Sequence, residues 1–245
     1  SKEGTCQLFN SGDIFASGGN ATGGNGGSSQ GVYFYNEGSG DLRNSGDITA
    51  NGGNGAGTGN QGGDGAYLEI YAYHNYDYWY SGYSNKGDIL WTGNISLDGG
   101  SGDAGGNGGE VYADNSDYDG DGDPPDFGIY FVGYSKVSAD GGDGAAGGYA
   151  GYLEMESYSA FVADRYHEAG PNIFMADFYA RGGGGANGVG GGGGAIYIYA
   201  EDYYTLGNTV AIFNGDVYMD GGDGTDGGGD SNYWGSMWGW SNIYI

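Results

Sequence analysis

The chain has 245 residues, 61 of them glycine, and a formal charge of −26 from 32 acidic side chains against six basic ones. With three prolines and no strict glycine triplet it is not collagen, and its cations (Lys2, Arg43, Lys86, Lys136, Arg165, Arg181) are too scattered to displace counterions from a nucleic acid or bind an anionic membrane. Hydrophobic residues at 38% and aromatics at 16% exceed what a disordered glycine-rich tract carries, so a core can form if the glycines are confined to fixed places.

Self-similarity organises the chain. Six segments carry an alternating apolar run into a glycine pair: Gly12-Asp-Ile-Phe-Ala-Ser-Gly-Gly, Gly46-Asp-Ile-Thr-Ala-Asn-Gly-Gly, Gly93-Asn-Ile-Ser-Leu-Asp-Gly-Gly, Ser135-Lys-Val-Ser-Ala-Asp-Gly-Gly, Asp177-Phe-Tyr-Ala-Arg-Gly-Gly and Gly215-Asp-Val-Tyr-Met-Asp-Gly-Gly. The pairs begin at 18, 52, 99, 141, 182 and 221, in steps of 34, 47, 42, 41 and 39 residues. Period-2 alternation puts Ile14 and Ala16, Ile48 and Ala50, Ile95 and Leu97, Val137 and Ala139, Phe178 and Ala180, and Val217 and Met219 on one face of a first strand. A second strand follows each glycine-rich stretch, with Val32 and Phe34, Leu68 and Ile70, Val111 and Ala113, Leu153 and Met155, and Ile196 and Ile198 inward. A third run closes most repeats: Ile89-Leu-Trp, Ile129-Tyr-Phe, Ile173-Phe-Met and Val210-Ala-Ile. Three strands per repeat predict an all-β fold with almost no helix. The expected architecture is a right-handed parallel β-helix of about six glycine-rich coils, one solenoid domain over 1–245, with like strands about 4.8 Å apart.

The glycine stretches recur at one place in the repeat. Two explanations stay open: an ordered stack of corners or polyproline-II-like segments that only glycine can enter, or a mobile loop on each coil. Two columns flank them, Ser17, Asn51, Asp98, Asp140, Arg181, Asp220 and Asn54, Ser101, Asp143, Gly185, Asp223. Either these want cations between adjacent carboxylates, or Asp and Asn are there as turn formers. On the outer face of the second strand the sequence predicts an alternating column, Tyr33, Glu69, Tyr112, Glu154, Tyr197, which keeps like charges apart.

Local candidates follow in chain order. Cys6 is the lone cysteine, either a buried thiol or an intermolecular link. Together with Leu8 and Phe9 it gives the first coil an apolar start. Asn20 and Asn94 match the N-glycosylation acceptor pattern. Tyr76, Tyr78, Trp79 and Tyr80 sit in a polar-aromatic run that either stacks on sugar rings, forms an interface, or folds onto the solenoid's own flank. Asp117, Asp119, Asp121, Asp123 and Asp126 alternate with glycines, a spacing that wraps a hard cation such as Ca²⁺ in oxygen ligands; a solvated acidic loop is the alternative. These ten residues resemble the calcium loops of thrombospondin type-3 and dockerin-like repeats, although Asp123 stands where those carry an apolar residue. The C-terminal run holds Trp234, Trp238, Trp240, Ile243, Tyr244 and Ile245, an apolar β-forming end where a solenoid normally carries a polar cap. It either meets the next subunit or caps its own coil.

The whole pattern resembles the glycine-rich repeats of secreted bacterial and archaeal β-helix proteins, including adhesins and extracellular fibre subunits. The resemblance implies an extracellular or cell-surface structural subunit that assembles head-to-tail with identical subunits; a carbohydrate-binding adhesin module on polysaccharide is the alternative. No apolar run reaches the roughly 20 residues of a membrane span, and a start at Ser1 without Met fits a processed product. Enzyme activity is not expected: β-helix lyases use Lys or Arg near calcium, and here the cations are dispersed, while His74 and His167 have no evident nucleophile beside them.

Overall fold

The computed structural model describes residues 7–36, 40–72, 87–115, 128–133, 135–159, 172–202, 210–225, 228, 234–239 and 242–244. The first coil runs through β1 (Leu8–Asn10), β2 (Ile14–Phe15) and β3 (Val32–Asn36), and the second through β4 (Leu42–Asn44), β5 (Ile48–Thr49) and β6 (Tyr67–Ala72). The third holds β7 (Ile89–Trp91), β8 (Ile95–Ser96) and β9 (Glu110–Asp114), and the fourth β10 (Ile129–Phe131), β11 (Lys136–Ser138) and β12 (Tyr152–Ser159). The fifth holds β13 (Asn172–Phe174), β14 (Asp177–Tyr179) and β15 (Ala195–Asp202), and the sixth β16 (Val210–Phe213), β17 (Val217–Tyr218) and β18 (Trp234–Gly239); β19 (Asn242–Tyr244) begins another turn. Like strands stack into three sheets, β1-β4-β7-β10-β13-β16-β19, β2-β5-β8-β11-β14-β17 and β3-β6-β9-β12-β15-β18. Every pairing is parallel and in register. This is an all-β parallel β-helix of six coils, with no helix among the described residues.

The core is the set of columns that alternation predicts. Ile48, Val137, Phe178, Leu68, Val111 and Leu153 are fully buried, each burial worth about 1.5–3 kcal/mol. An aromatic stack runs up the inner face of the first sheet: Trp91 to Phe131 at 6.1 Å, Phe131 to Phe174 at 5.8 Å, and Phe174 to Phe213 at 5.1 Å between ring centroids. That stack corrects the sequence expectation for the fifth and sixth coils. The fifth strand of this sheet is Asn172–Phe174, not a run from Ile173 to Met175, so that Ile129 pairs with Asn172 and Phe131 with Phe174. In the sixth coil Phe213 joins the column opposite Phe174. Ring stacking fixes the register, and Asn172 is accommodated at the buried corner because its amide donates to the Tyr199 carbonyl at 2.7 Å. The same sheet also contains β1 and β4, which lack an obvious apolar run because Asn10 and Asn44 occupy the column later filled by aromatics. Asn10 Nδ2 donates to Asn44 Oδ1 at 2.7 Å, a polar rung in the same place.

Between the second and third sheets each of the first five coils extends as two glycine arms. The second-coil arms, 51–55 and 60–65, are joined by a tip where Gly57 and Gly59 take φ of 94° and 79°, a region only glycine enters cheaply. The arms are ordered by a hydrogen-bond pattern of period three, the period of polyproline II. In the outgoing arm, Gly52 N–H donates to the Asp98 carbonyl of the next coil and Gly55 N–H to that of Ser101, both at 2.8 Å. Gly53 N–H instead crosses to the Gly27 carbonyl, in the returning arm of the coil before. Repeated through the molecule, this crossing makes a zigzag spine: Gly19, Gly27, Gly53, Gly63, Gly100, Gly106, Gly142, Gly148, Gly183, Gly191 and Gly222, each N–H after the first donating to the carbonyl before it at 2.8–2.9 Å.

The spine explains why glycines come in pairs. A Cβ on the second glycine of a pair would meet the spine carbonyl of the coil beneath, at 2.1 Å for Gly100 against Gly53 and 2.0 Å for Gly106 against Gly63. A Cβ on the first would meet the neighbouring arm, at 1.8 Å for Gly52 against the Gly63 carbonyl. The third position faces outward and can carry a side chain. That side chain accepts the one N–H per triplet that the backbone leaves over. Asn51 accepts from Asp98 N–H, Asn54 from Ser101, Asp98 from Asp140, Asp143 from Gly184, Asn25 from Gln61, and Asp64 from Asn107, at 2.7–3.0 Å. The two columns are therefore acceptor ladders and not turn formers, and the glycine opposite Asp143 is Gly184 where the sequence suggested Gly185. At the root, Ala66 and Gly109 N–H donate to the Ala50 and Leu97 carbonyls and close the core.

Gly19 is the instructive exception. It heads the column of Gly53, Gly100, Gly142, Gly183 and Gly222, yet a Cβ there meets nothing within 4 Å, because no coil lies beneath it among the described residues. Gly106→Ala is expected to lower stability by about 1–3 kcal/mol or to prevent folding, while Gly19→Ala stays within about 0.5 kcal/mol of the parent. Chemical denaturation followed by circular dichroism measures both, and equal losses would show that close approach is not the constraint.

Candidate functional site

The outer face of the third sheet carries the densest chemistry among the described residues. The predicted column is present: Tyr33 pairs with Glu69, Glu69 with Tyr112, Tyr112 with Glu154, and Glu154 with Tyr197. Two further columns flank it. One runs Tyr67, Glu110, Tyr152, Ala195; the other runs Tyr35, Tyr71, Asp114, Glu156, Tyr199. The sequence carried both, since residues two before and two after a known outward position share its face. Together they form a grid of phenols and carboxylates three positions wide.

Phenols and carboxylates bond within this grid. Tyr35 Oη donates to Glu69 Oε2 on the coil above, and Tyr112 Oη donates to Glu156 Oε2 at 2.5 Å. Stacked rings continue the pattern, with Tyr33 to Tyr35 at 6.1 Å and Tyr35 to Tyr71 at 5.1 Å and 9°, and Tyr71 meets Tyr112 at 5.4 Å with the rings inclined at 55°. Burial, then Glu69, pushes the Tyr67 phenol up to about 12. Tyr112 and Tyr152 are raised further by burial and by their hydrogen bonds to Glu156 and Glu110. These phenols stay protonated and act as donors.

The alternation separates charges along one column but not across the grid. Asp114 and Glu156 are direct register partners. Glu154, flanked by Glu156 and Glu110, is pushed up to about 7, first by burial and then by those neighbours.

Elsewhere the two described arginines are tied to carboxylates. Arg181 bonds Asp140 through Nη2 at 2.5 Å, and Arg43 bonds Asp41 through Nη2 at 2.5 Å. In the neighbouring pair Asp98 and Asp140, Arg181 covers Asp140, while Asp98 Oδ1 accepts from Asp140 N–H at 3.0 Å and from the buried Ser138 hydroxyl at 2.5 Å.

The sequence-predicted residues fall in several places. Asp117, Asp119, Asp121, Asp123 and Asp126, the aromatic run Tyr76, Tyr78, Trp79 and Tyr80, and also Cys6, Trp240 and Ile245 lie outside the described residues. Among the described residues no group of three or more His, Cys, Asp or Glu is arranged to hold a metal. Leu8 packs half-buried against the core and Phe9 is exposed, both in β1 at the edge of the first sheet. Trp234 and Trp238 lie in β18, paired with Ala195 and Tyr199, and Ile243 and Tyr244 lie in β19, paired with Ala211 and Ile212. β1 and β19 are thus the outermost strands at opposite ends of the first sheet, and β18 is an outermost strand of the third. Asn20 is exposed and its Oδ1 accepts from Asn54 N–H at 2.7 Å. Asn94 is exposed but inside a ladder, its Nδ2 donating to Asp47 at 3.0 Å and its Oδ1 accepting from Lys136 N–H at 3.0 Å.

Comparison with protein-family models, with curated proteins and with solved structures finds no match. Function therefore rests on the geometry.

The Glu154 environment has a measurable consequence. Folding raises its pKa from about 4.5 to about 7, so the folded state favours the protonated acid. Its stabilising contribution is complete below about 4.5 and is lost as pH rises through about 7. The melting temperature is expected to fall across that window. Glu154→Gln should flatten the fall and raise Tm at pH 8 by about 2–4 °C, allowing for solvent screening of a group this exposed. A thermal-melt series that is identical for parent and variant would contradict the assignment.

Proposed function

We propose that this protein is a structural subunit of an extracellular filament or surface fibre, assembling head-to-tail through its solenoid ends. The observation that carries this is the mismatch at Gly19. Each later member of its column is glycine because a coil lies beneath, while Gly19 is glycine over open space. A second copy is the occupant that fits. Ile14, Ala16, Gly18 and Ala21 donate N–H bonds to the carbonyls of Asp47, Thr49, Asn51 and Asn54 in the next coil. The equivalent donors of the sixth coil are Val217, Met219, Gly221 and Gly224, and the equivalent acceptors of the first are Asp13, Phe15, Ser17 and Asn20. One end therefore offers what the other lacks, the condition for heterologous contacts that extend without closing. Apolar exposure agrees: Val217 is 38% exposed where Val137 and Phe178 in the same column are fully buried, and Ile14 at the other end of that column is only partly buried.

Gly19→Leu tests this directly. The space beneath Gly19 leaves the monomer fold and Tm unchanged, while the added side chain blocks a second copy's last coil from seating. Negative-stain microscopy and light scattering should show filaments for the parent and monomers for the variant. A parent that stays monomeric, or a variant that polymerises equally, overturns the proposal.

The parent staying monomeric while binding polysaccharide would favour the second reading, a carbohydrate-binding adhesin. The specific support for it is the tyrosine–carboxylate face, whose rings offer stacking and whose acids offer acceptors to sugar hydroxyls. In either case an extracellular or surface location fits the acidic, repeat-built chain. Calcium binding by Asp117, Asp119, Asp121, Asp123 and Asp126 is part of the same proposal. Titration calorimetry with millimolar calcium should show heat that Asp119→Asn with Asp121→Asn abolishes; no heat in the parent would remove calcium from the account.

A further inference from the structure

We propose that Tyr35 and Tyr71 form an oxidative cross-linking site, a dityrosine staple between the first two coils, closed by a peroxide-driven one-electron oxidant. Tyr35 and Tyr71 are direct partners in adjacent parallel strands. In-register stacking holds their rings 5.1 Å apart and within 9° of parallel, so like ring carbons face one another. Tyr35 is 47% exposed and reachable by an oxidant, and Tyr33, stacked on it at 6.1 Å, offers a second entry point.

The carboxylate arrangement supplies the proton acceptor. Removing an electron from a phenol makes its O–H strongly acidic, so the proton must leave with the electron. The Tyr35 hydroxyl already donates to Glu69 Oε2, which takes that proton. Tyr71 likewise loses its phenolic proton. The two phenoxyl radicals couple through ring carbons ortho to oxygen, one C–C bond forms, and each ring regains aromaticity by losing its ortho hydrogen to its own oxygen. Two electrons and two protons leave the pair, and one hydrogen peroxide accepts them to become two waters.

A second stacked pair provides an internal control. Tyr179 and Tyr218 lie 4.7 Å apart at 13° in the second sheet, a geometry at least as favourable. There, however, the Lys136 ammonium sits 4.3 Å and the Arg181 guanidinium carbon 5.4 Å from the Tyr179 ring centroid. Positive charge over a ring opposes removal of an electron from it. Proximity alone predicts that 179–218 links first; the electrostatics predicts 35–71.

The experiment treats dilute purified protein with hydrogen peroxide and a haem peroxidase, then follows dityrosine fluorescence and maps cross-linked peptides by mass spectrometry. The Tyr35–Tyr71 peptide should appear within single chains, several-fold faster than the Tyr179–Tyr218 peptide. Tyr71→Phe should abolish it with an unchanged circular dichroism spectrum. Glu69→Gln should slow it several-fold near neutral pH while leaving the 179–218 rate alone. Overturning results are no intrachain dityrosine at 35–71, a 179–218 link that forms as fast or faster, or a Glu69→Gln rate equal to the parent's.

Discussion

The structure depends on one close approach, glycine backbone packed directly against a glycine carbonyl. From Gly53 onward each spine glycine lies so near the carbonyl of the coil beneath that a Cβ would fall about 2 Å from oxygen, inside any real contact distance. That approach lets one N–H per triplet cross between arms, which makes two extended segments into an ordered layer. Glycine carries the largest entropic cost of ordering of any residue. Three sets of hydrogen bonds per triplet offset it: one to the next coil, one across the arms, and one to an outward side chain. The usual association of glycine-rich sequence with disorder fails here because the glycines leave few backbone groups without a partner.

The same pattern resolves a problem that composition poses. A formal charge of −26 on 245 residues would strain a compact chain. Many of the carboxylates do double service. Asp13, Asp47, Asp64, Asp98, Asp140, Asp143 and Asp177 each accept a backbone N–H from the neighbouring coil. Hydrogen bonds to a charged acceptor are stronger than neutral ones, so acid at the third position supports the stack instead of loading it. Asn and Ser substitute in the same ladders, which is why those columns look mixed in sequence. Where the ladder function is absent, on the third-sheet face, crowding shows itself in Glu154.

Most of the coil was legible because two rules are local. Alternation identified the inward columns of the second and third sheets, and the recurring glycine pair set the coil boundaries. What was not legible depends on partners distant in sequence. The one-residue offset at Asn172 comes from ring stacking on Phe131, which an apolarity count misreads because Ile173 looks the better core residue. β4 is hidden because Asn44 fills a core column with a polar rung. The flanking columns of the tyrosine face needed only the period-2 rule carried two residues further. The acceptor role of Asp and Asn required knowing that the arms have period three, and nothing in a glycine run reveals which of three positions points outward until a neighbour is stacked on it.

A solenoid of this kind has stability built from nearest-neighbour terms, so a coil with one neighbour holds about half the interface of a coil with two. The exposures follow that logic: Ile48, Ile95 and Val137 are sealed, while Ile14 and Val217 at the two ends of the same column are not. The two proposals would each remove that weakness. One is noncovalent, placing a copy's last coil under Gly19 so that each terminal coil becomes internal. The other is covalent, tying Tyr35 to Tyr71 so that the first coil cannot fray from the second. Both proposals concern the first coil, where a Cβ on Gly19 would meet nothing and Tyr33 and Tyr35 are the most exposed rings of their face among the described residues. Both also use what makes the interior regular. A translation by one coil superposes donor on donor and ring on ring, so the proposed contact between copies would repeat the register of the interior.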